Sequence, residues 1–191
     1  RHGCISMESS YPWEGNVVYT VHENADFSLA IHIPHHVKEL AICVNGESID
    51  CVSEYGYCHV QRKWNAGDQI SVRFDMPIRR IHAHPYVRDA AGKVSLARGP
   101  MVYCTEKTDH GVPLSALSLP ENAEIRAVKR EEGILKDILL LQAEGFRQDL
   151  PKSLYETTDR QFQSCTIHAI PYFAWGNREQ GDMCVWIREE P

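Results

Sequence analysis

The sequence predicts an all-β protein built from two consecutive antiparallel β-sandwich domains of jelly-roll-like form. Three observations carry this expectation. Apolar residues recur at every second position, as Phe27, Leu29, Ile31 and Ile33, then Leu40, Ile42 and Val44, then Ile70, Val72 and Phe74. A period of two buries one face of a strand and wets the other, as antiparallel sheets require. Turn chemistry bounds these runs, with Asn45-Gly46 the strongest short hairpin signal because both residues tolerate positive φ. Short strands punctuated in this way follow one another along the whole chain, which is the pattern of a sandwich.

The first domain is assigned to residues 1–77. Its strand candidates are the runs just named, and "WNAGDQ" (Trp64 to Gln69) is a turn feeding the last of them, with Trp64 closing one end of a core. The chain begins at Arg1 rather than Met, and this domain is expected to lack an early strand or two at its N-terminus. Around Met76-Pro77 the pattern ends, so the second domain is assigned to residues 78–191. Its strand candidates are 93–97, 100–105, 124–129, 138–144, 165–171 and 183–187. In "EIRAVKREEGILKDILLLQAEGF" the spacing of Ile125, Val128, Leu135, Ile138 and Leu139 is partly helical. Gly133 and Gly145 punctuate it at hairpin-like distance, which favours two strands.

Composition narrows the function. The 191 residues are 43% apolar and 24% charged, with 20 Lys+Arg against 26 Asp+Glu for a net charge of −6. With no basic block, a nucleic-acid surface is not expected. No apolar run reaches the ~18 residues of a membrane span, and no signal peptide is visible. Seven cysteines are scattered without a CxxC. They read mostly as small core hydrophobes of a cytoplasmic protein, with a disulfide scaffold unneeded at this size.

The second domain carries the more specific residues. "MPIRRIHAHPYVRDAAGKVSLARGPMVYCTE" and "IPYFAWGNREQGDMCVWI", supported by "YPWEGNV" and "VNGESI" in the first domain, resemble the C-terminal region of bacterial β-L-arabinofuranosidase-type glycoside hydrolases. The resemblance covers essentially the whole chain. It implies a preceding (α/α)₆ catalytic barrel followed by two β-sandwich domains. It further implies that catalysis there uses a zinc-held cysteine thiolate with a glutamate acid/base, in a signature with two adjacent cysteines. This sequence has no Cys-Cys pair and no long amphipathic helical hairpins, so no catalytic residue carries over. The chain is expected to need no cofactor of its own, any zinc belonging to the absent domain. Its expected partner is its own catalytic barrel, which it would stabilise or frame. An independent carbohydrate-binding module, with a glycan as partner, and a homo-oligomeric assembly module remain open as alternatives.

Individual constellations are weighed against this background. His82 and His84 are two apart, and His35-His36 follow Pro34, but no convergent set of three or four zinc ligands emerges. Glu106 and Asp109 in "CTEKTDHG", and Glu131-Glu132 before Gly133, read as solvated turn residues rather than a glycosidase pair. The stretch "YFAWGNREQGD" is expected to form a hairpin with an aromatic shoulder. Tyr172, Trp175, Asn177 and Arg178 are its candidate site residues, open to domain bracing, plain core packing or carbohydrate contact, with the resemblance favouring bracing. Arg98-Gly99-Pro100 is expected to be a structural corner where the chain passes between sheets, with Arg98 paired to a carboxylate or capping backbone carbonyls.

Overall fold

The computed structural model describes residues 4–155 and 157–190. The outermost bounds assigned to the two domains, Arg1 and Pro191, lie outside them. The chain divides into two compact units, one ending at Pro77 and the other starting at Ile78.

The described residues of the first unit form eight strands: β1 (Ile5–Ser9), β2 (Asn16–Val21), β3 (Ala25–His32), β4 (Leu40–Val44), β5 (Glu47–Ser48), β6 (Ser53–Glu54), β7 (Tyr57–Trp64) and β8 (Gln69–Phe74). They form a five-stranded sheet in the order β1-β2-β8-β4-β5 and a three-stranded sheet in the order β3-β7-β6. Both sheets contribute to one core, with Val17, Ile42 and Val72 from the first and Ile31, Val60 and Trp64 from the second. Trp64 is fully buried, stacks on Phe27 and donates its indole N–H to the Phe27 carbonyl at 3.0 Å. Asn45 and Gly46, at φ 52° and 85°, turn β4 into β5 as the hairpin signal requires. Asp68 fixes the preceding turn by accepting from the Asn65 N–H at 2.8 Å and the Asn45 amide at 2.9 Å.

Gly15 of the "YPWEGNV" motif packs against β8. A Cβ there would lie 1.8 Å from the Phe74 carbonyl oxygen, so only glycine fits. The expectation for the cysteines needs one correction. Cys51 and Cys58 are joined by a disulfide across the β6–β7 hairpin. The two-residue turn Tyr55-Gly56 folds the flanking segments together and brings the Cα atoms of the two cysteines to 5.9 Å. Of the others, Cys104 is buried, and Cys4, Cys43, Cys165 and Cys184 are half-buried thiols.

The second unit holds β9 (Ile78–His82), β10 (Lys93–Arg98), β11 (Met101–Glu106), the one-turn helix α1 (Lys107–His110), β12 (Leu117–Pro120), β13 (Ile125–Lys129), β14 (Leu139–Gln148), β15 (Phe162–Pro171), β16 (Met183–Cys184) and β17 (Trp186–Glu190). The ambiguous segment is two strands, β13 and β14, paired antiparallel from Ile125↔Ala143 to Lys129↔Leu139. Gly133 lies in the connection between them at φ 81°, but Gly145 sits inside β14. A Cβ on Gly145 would meet the Ser118 carbonyl at 2.6 Å and Ile167 at 2.5 Å, so close packing, not turning, demands it.

The architecture of this unit differs from a plain pair of facing sheets. The pairings run β11-β15-β14-β12-β17-β10, and β10 pairs again with β11, which closes a barrel of six strands. Closure depends on one parallel pair, β12 with β17, in an otherwise antiparallel ladder. β9, β13 and β16 attach to the ring from outside. Val94, Leu119, Leu141, Ile167 and Ile187 are buried in this unit. A smaller apolar cluster of Cys104, Leu135, Leu140, Ile170 and Ala174 lies beneath the segment after β15.

Candidate functional site

The aromatic motif grows from the end of β15. Pro171 leads into a short 3₁₀ turn, Tyr172–Ala174, and Ala174 drops into the small apolar cluster while its neighbours point outward. Tyr172, Phe173 and Trp175 are 48%, 61% and 44% exposed. The Tyr172 and Trp175 rings lie 6.2 Å apart with an interplanar angle of 31°. Plain core packing within the described residues is therefore excluded for these three side chains. Gly176, at φ 78°, turns the chain back, and the Asn177 amide donates to the Ala174 carbonyl at 3.0 Å. Asn177 thus fastens the turn on which the rings stand.

Arg178 points the other way. Its side chain is only 12% exposed, and Glu106 and Asp109 beside it are 5% and 11% exposed. The guanidinium donates from Nε to Glu106 Oε2 at 3.0 Å, and Nη2 donates to the same oxygen. Nη1 and Nη2 also donate to the two oxygens of Asp109, each at 2.6 Å. The free oxygen of Glu106 accepts the Gly176 N–H at 3.2 Å. One guanidinium therefore ties the end of β11, helix α1 and the aromatic turn into one knot. Such planar two-pronged pairing is the geometry that arginine provides and lysine does not.

The carboxylates are thus not the solvated turn residues expected from "CTEKTDHG". The guanidinium they share also disfavours a protonated carboxyl. Burial works to raise the Asp109 pKa, but hydrogen bonding to Arg178 and its charge outweigh burial and hold the group below the usual carboxylate range. A glycosidase acid needs the opposite, a carboxyl kept protonated near neutrality. Burial, followed by the Glu106 charge, pushes the Cys104 thiol up to about 12, which leaves it inert as a nucleophile. His110 completes the knot. Its Nε2 lies 3.1 Å from the backbone N–H of His168 and must accept from it, so the proton sits on Nδ1 and is donated to the Glu106 carbonyl at 2.9 Å. Burial lowers the His110 pKa and keeps this neutral form.

The second expected feature, Arg98-Gly99-Pro100, is a tight hairpin turn between β10 and β11, with Arg98 opposite Met101 and Gly99 at φ 53°. Both strands belong to the closed ladder, so the chain turns within it rather than passing between two sheets. Arg98 is half-buried. Arg79, which the sequence reading did not single out, donates to the Gly99 carbonyl at 2.7 Å. His82 pairs with Glu189 at 2.8 Å and His84 packs against Tyr86, so the two histidines part company. Among the described residues no group of three or more His, Cys, Asp or Glu side chains is placed to hold a metal ion.

Residues 78–188 match the glycoside hydrolase family 127 C-terminal domain. The chain belongs to glycoside hydrolase family 127. Residues 4–76 match the GH127 middle domain of β-L-arabinofuranosidases. A non-reducing end β-L-arabinofuranosidase of Bifidobacterium longum subsp. longum is 28% identical, over 96% of this chain and 30% of its own length. The crystal structure of a GH127 β-L-arabinofuranosidase from Geobacillus stearothermophilus T6 superposes with a TM-score of 0.89 at 37% identity, covering 97% of this chain and 30% of that one. A further GH127 β-arabinofuranosidase structure gives a TM-score of 0.89 at 27% identity over 97% of this chain and 31% of its own. The chain thus spans about 30% of the length of the relatives it matches.

Proposed function

We propose that this chain is the non-catalytic accessory region of a β-L-arabinofuranosidase-type glycoside hydrolase, two domains (1–77 and 78–191) that frame a catalytic domain carried elsewhere in the polypeptide. The observation that carries this reading is that the chain corresponds to the middle and C-terminal domains of its family and to 30% of its relatives' length. The first domain is read as a sandwich of its five- and three-stranded sheets over their common core. The aromatic shoulder is read as the bracing surface. Three ring systems stand in solvent on a turn anchored from beneath, and exposed aromatic groups held rigidly are typical of contact surfaces. Arg178 and Asn177 position this surface and do not contact the partner.

Two measurements test the reading. The chain alone should not turn over an aryl β-L-arabinofuranoside; turnover surviving repurification and cysteine substitution refutes the accessory role. Mixed with the catalytic part of the Geobacillus relative, the chain should associate saturably, and Tyr172→Ala with Trp175→Ala should abolish the association. The 31° tilt between the Tyr172 and Trp175 rings favours one second reading, a sugar platform. It requires glycan affinity lost in Trp175→Ala with no catalytic part present. An assembly module would instead show a stable dimer by light scattering.

No described helix is long and apolar enough to cross a membrane. The cytoplasmic, bacterial setting remains part of the proposal, and the Cys51–Cys58 bond opposes the cytoplasmic part, because such bonds persist in oxidising compartments.

A further inference from the structure

The Cys51–Cys58 bond fastens an edge segment that little else holds. β6 is the outer strand of the three-stranded sheet and pairs with β7 at two positions, Ser53↔Cys58 and Glu54↔Tyr57. From Asp50 to Tyr55 every residue is exposed except Cys51, which is half-buried against the core. Val52 and Tyr55, at 88% and 94%, stand almost wholly in solvent. Burial of apolar surface therefore does little to keep this segment in place. Firm contacts resume on either side of it. The Ile49 N–H donates to the Ile42 carbonyl at 2.9 Å, and the Ile33 N–H donates to the Gly56 carbonyl at 2.8 Å.

The two sulfurs are placed differently. Cys58 is fully buried in the core, on a strand that pairs with β3 from Ala25↔Trp64 to His32↔Tyr57. Cys51 belongs to the exposed segment. Opening the bond leaves Cys58 seated and frees Cys51 with the residues around it. The bond joins residues seven apart, across a turn that already brings them together. It thus constrains this segment rather than the whole chain.

We infer that Cys51–Cys58 is a redox latch. Oxidised, it fixes Asp50–Glu54 against β7 and presents Val52 and Tyr55 on a set tip. Reduced, it lets this segment detach while the core stays folded. A dithiol reductant of the thioredoxin class supplies the two electrons. One of its thiolates attacks the Cys51 Sγ, the sulfur nearer solvent. The S–S bond breaks, and Cys58 leaves as a thiolate that takes up a proton. The second reductant thiol gives up its proton and attacks the mixed disulfide, so that Cys51 departs as a protonated thiol and the reductant becomes its own disulfide. The reverse exchange closes the latch under oxidising conditions. The latch belongs to the first unit and does not rest on the accessory role proposed above.

The test compares the 191-residue chain in its air-oxidised form and after treatment with dithiothreitol or thioredoxin in native buffer, by mass spectrometry and limited proteolysis. Endoproteinase Glu-C cleaves after Glu54, inside the latched segment. It also cleaves after the exposed Glu131 and Glu132 of the second unit, which serve as the internal control. Reduction is expected to proceed without denaturant and to speed cleavage after Glu54 about tenfold or more. Cleavage at the control sites should not change, and thermal unfolding should stay cooperative. Cys51→Ser should be cut at the fast rate with or without reductant, and the wild-type comparison decides the matter alone if that variant fails to fold. The latch is overturned if the air-oxidised chain holds no Cys51–Cys58 bond, or if the bond resists reduction until the whole chain unfolds. Equal cleavage after Glu54 in both states overturns it too. So does collapse of the first unit on reduction, which would make the bond a structural staple.

Discussion

Replacing Arg178 with alanine should destabilise the second unit out of proportion to the loss of one surface-loop side chain. Among the described residues the guanidinium is the one hydrogen-bonding partner shared by Glu106 and Asp109, and it makes four hydrogen bonds to them from a position 12% exposed. Removing it strands two carboxylates in a site they cannot leave, a loss that costs about 3–5 kcal/mol where one member of a buried ion pair is deleted. Arg130, 3.8 Å from Asp109, offsets part of this, so the lower half of the range is expected. At about 2–4 °C per kcal/mol for a chain of this size, the melting temperature should fall by roughly 6–16 °C.

The pH dependence identifies the cause. In wild type the lowered pKa of Asp109 means that its stabilising contribution is present above the unfolded carboxylate range and lost as pH falls through the folded value. Without Arg178 burial prevails and raises the pKa of Asp109. The variant then gains stability relative to wild type on acidification. Urea unfolding at pH 7.5 and pH 5 measures both effects, with Arg178→Lys falling between the two. A loss below about 1 kcal/mol at pH 7.5, or a gap that widens at pH 5, would refute the clamp.

Other outcomes follow from the same structure. Gly15→Ala should cost more than Gly46→Ala, because its Cβ collides with the Phe74 carbonyl whereas Gly46 faces open space and only its φ of 85° is strained, worth about 1–2 kcal/mol; paired thermal melts rank them. Thiol titration of unfolded, unreduced protein should find the five free cysteines rather than seven, and reduction should lower stability by about 2–3 kcal/mol for so short a loop. His110 has a folded pKa below its unfolded value, so its contribution is complete above about pH 6.5 and declines as pH falls below it; in His110→Gln this part of the stability–pH curve should flatten. Trp175→Ala should change the stability of this chain by less than about 1 kcal/mol, since the ring is 44% exposed; a larger loss in urea unfolding would mark it as a packing residue.

Strands were legible wherever one face is wet. The alternation of Ile70, Val72 and Phe74 and the Asn45-Gly46 turn report local geometry, and local geometry is what those residues specify. Barrel closure was not legible, because the parallel pairing of β12 with β17 joins segments far apart in sequence and leaves no periodic mark on either. Four short residues, Leu117–Pro120, gave no strand signal at all. Arg178 was picked out but misread as part of a polar tip, since its two partners lie 69 and 72 residues earlier. The disulfide had a signal that went unused: Cys51 and Cys58 flank the turn at Tyr55-Gly56, which pairs Ser53 with Cys58 and leaves Cys51 two residues along on the same face, within reach of Cys58.

The knot beneath the aromatic shoulder has a consequence for how this surface can change. Gly176, Asn177 and Arg178 hold the motif through carbonyl and carboxylate partners, while the rings of Tyr172, Phe173 and Trp175 project from the finished turn. The interior half of the motif commits the chain to its shape, and the outer half inherits a fixed mount. Substitution of the rings can therefore retune what docks there without reopening the folding problem, whereas any change at Arg178 alters both together.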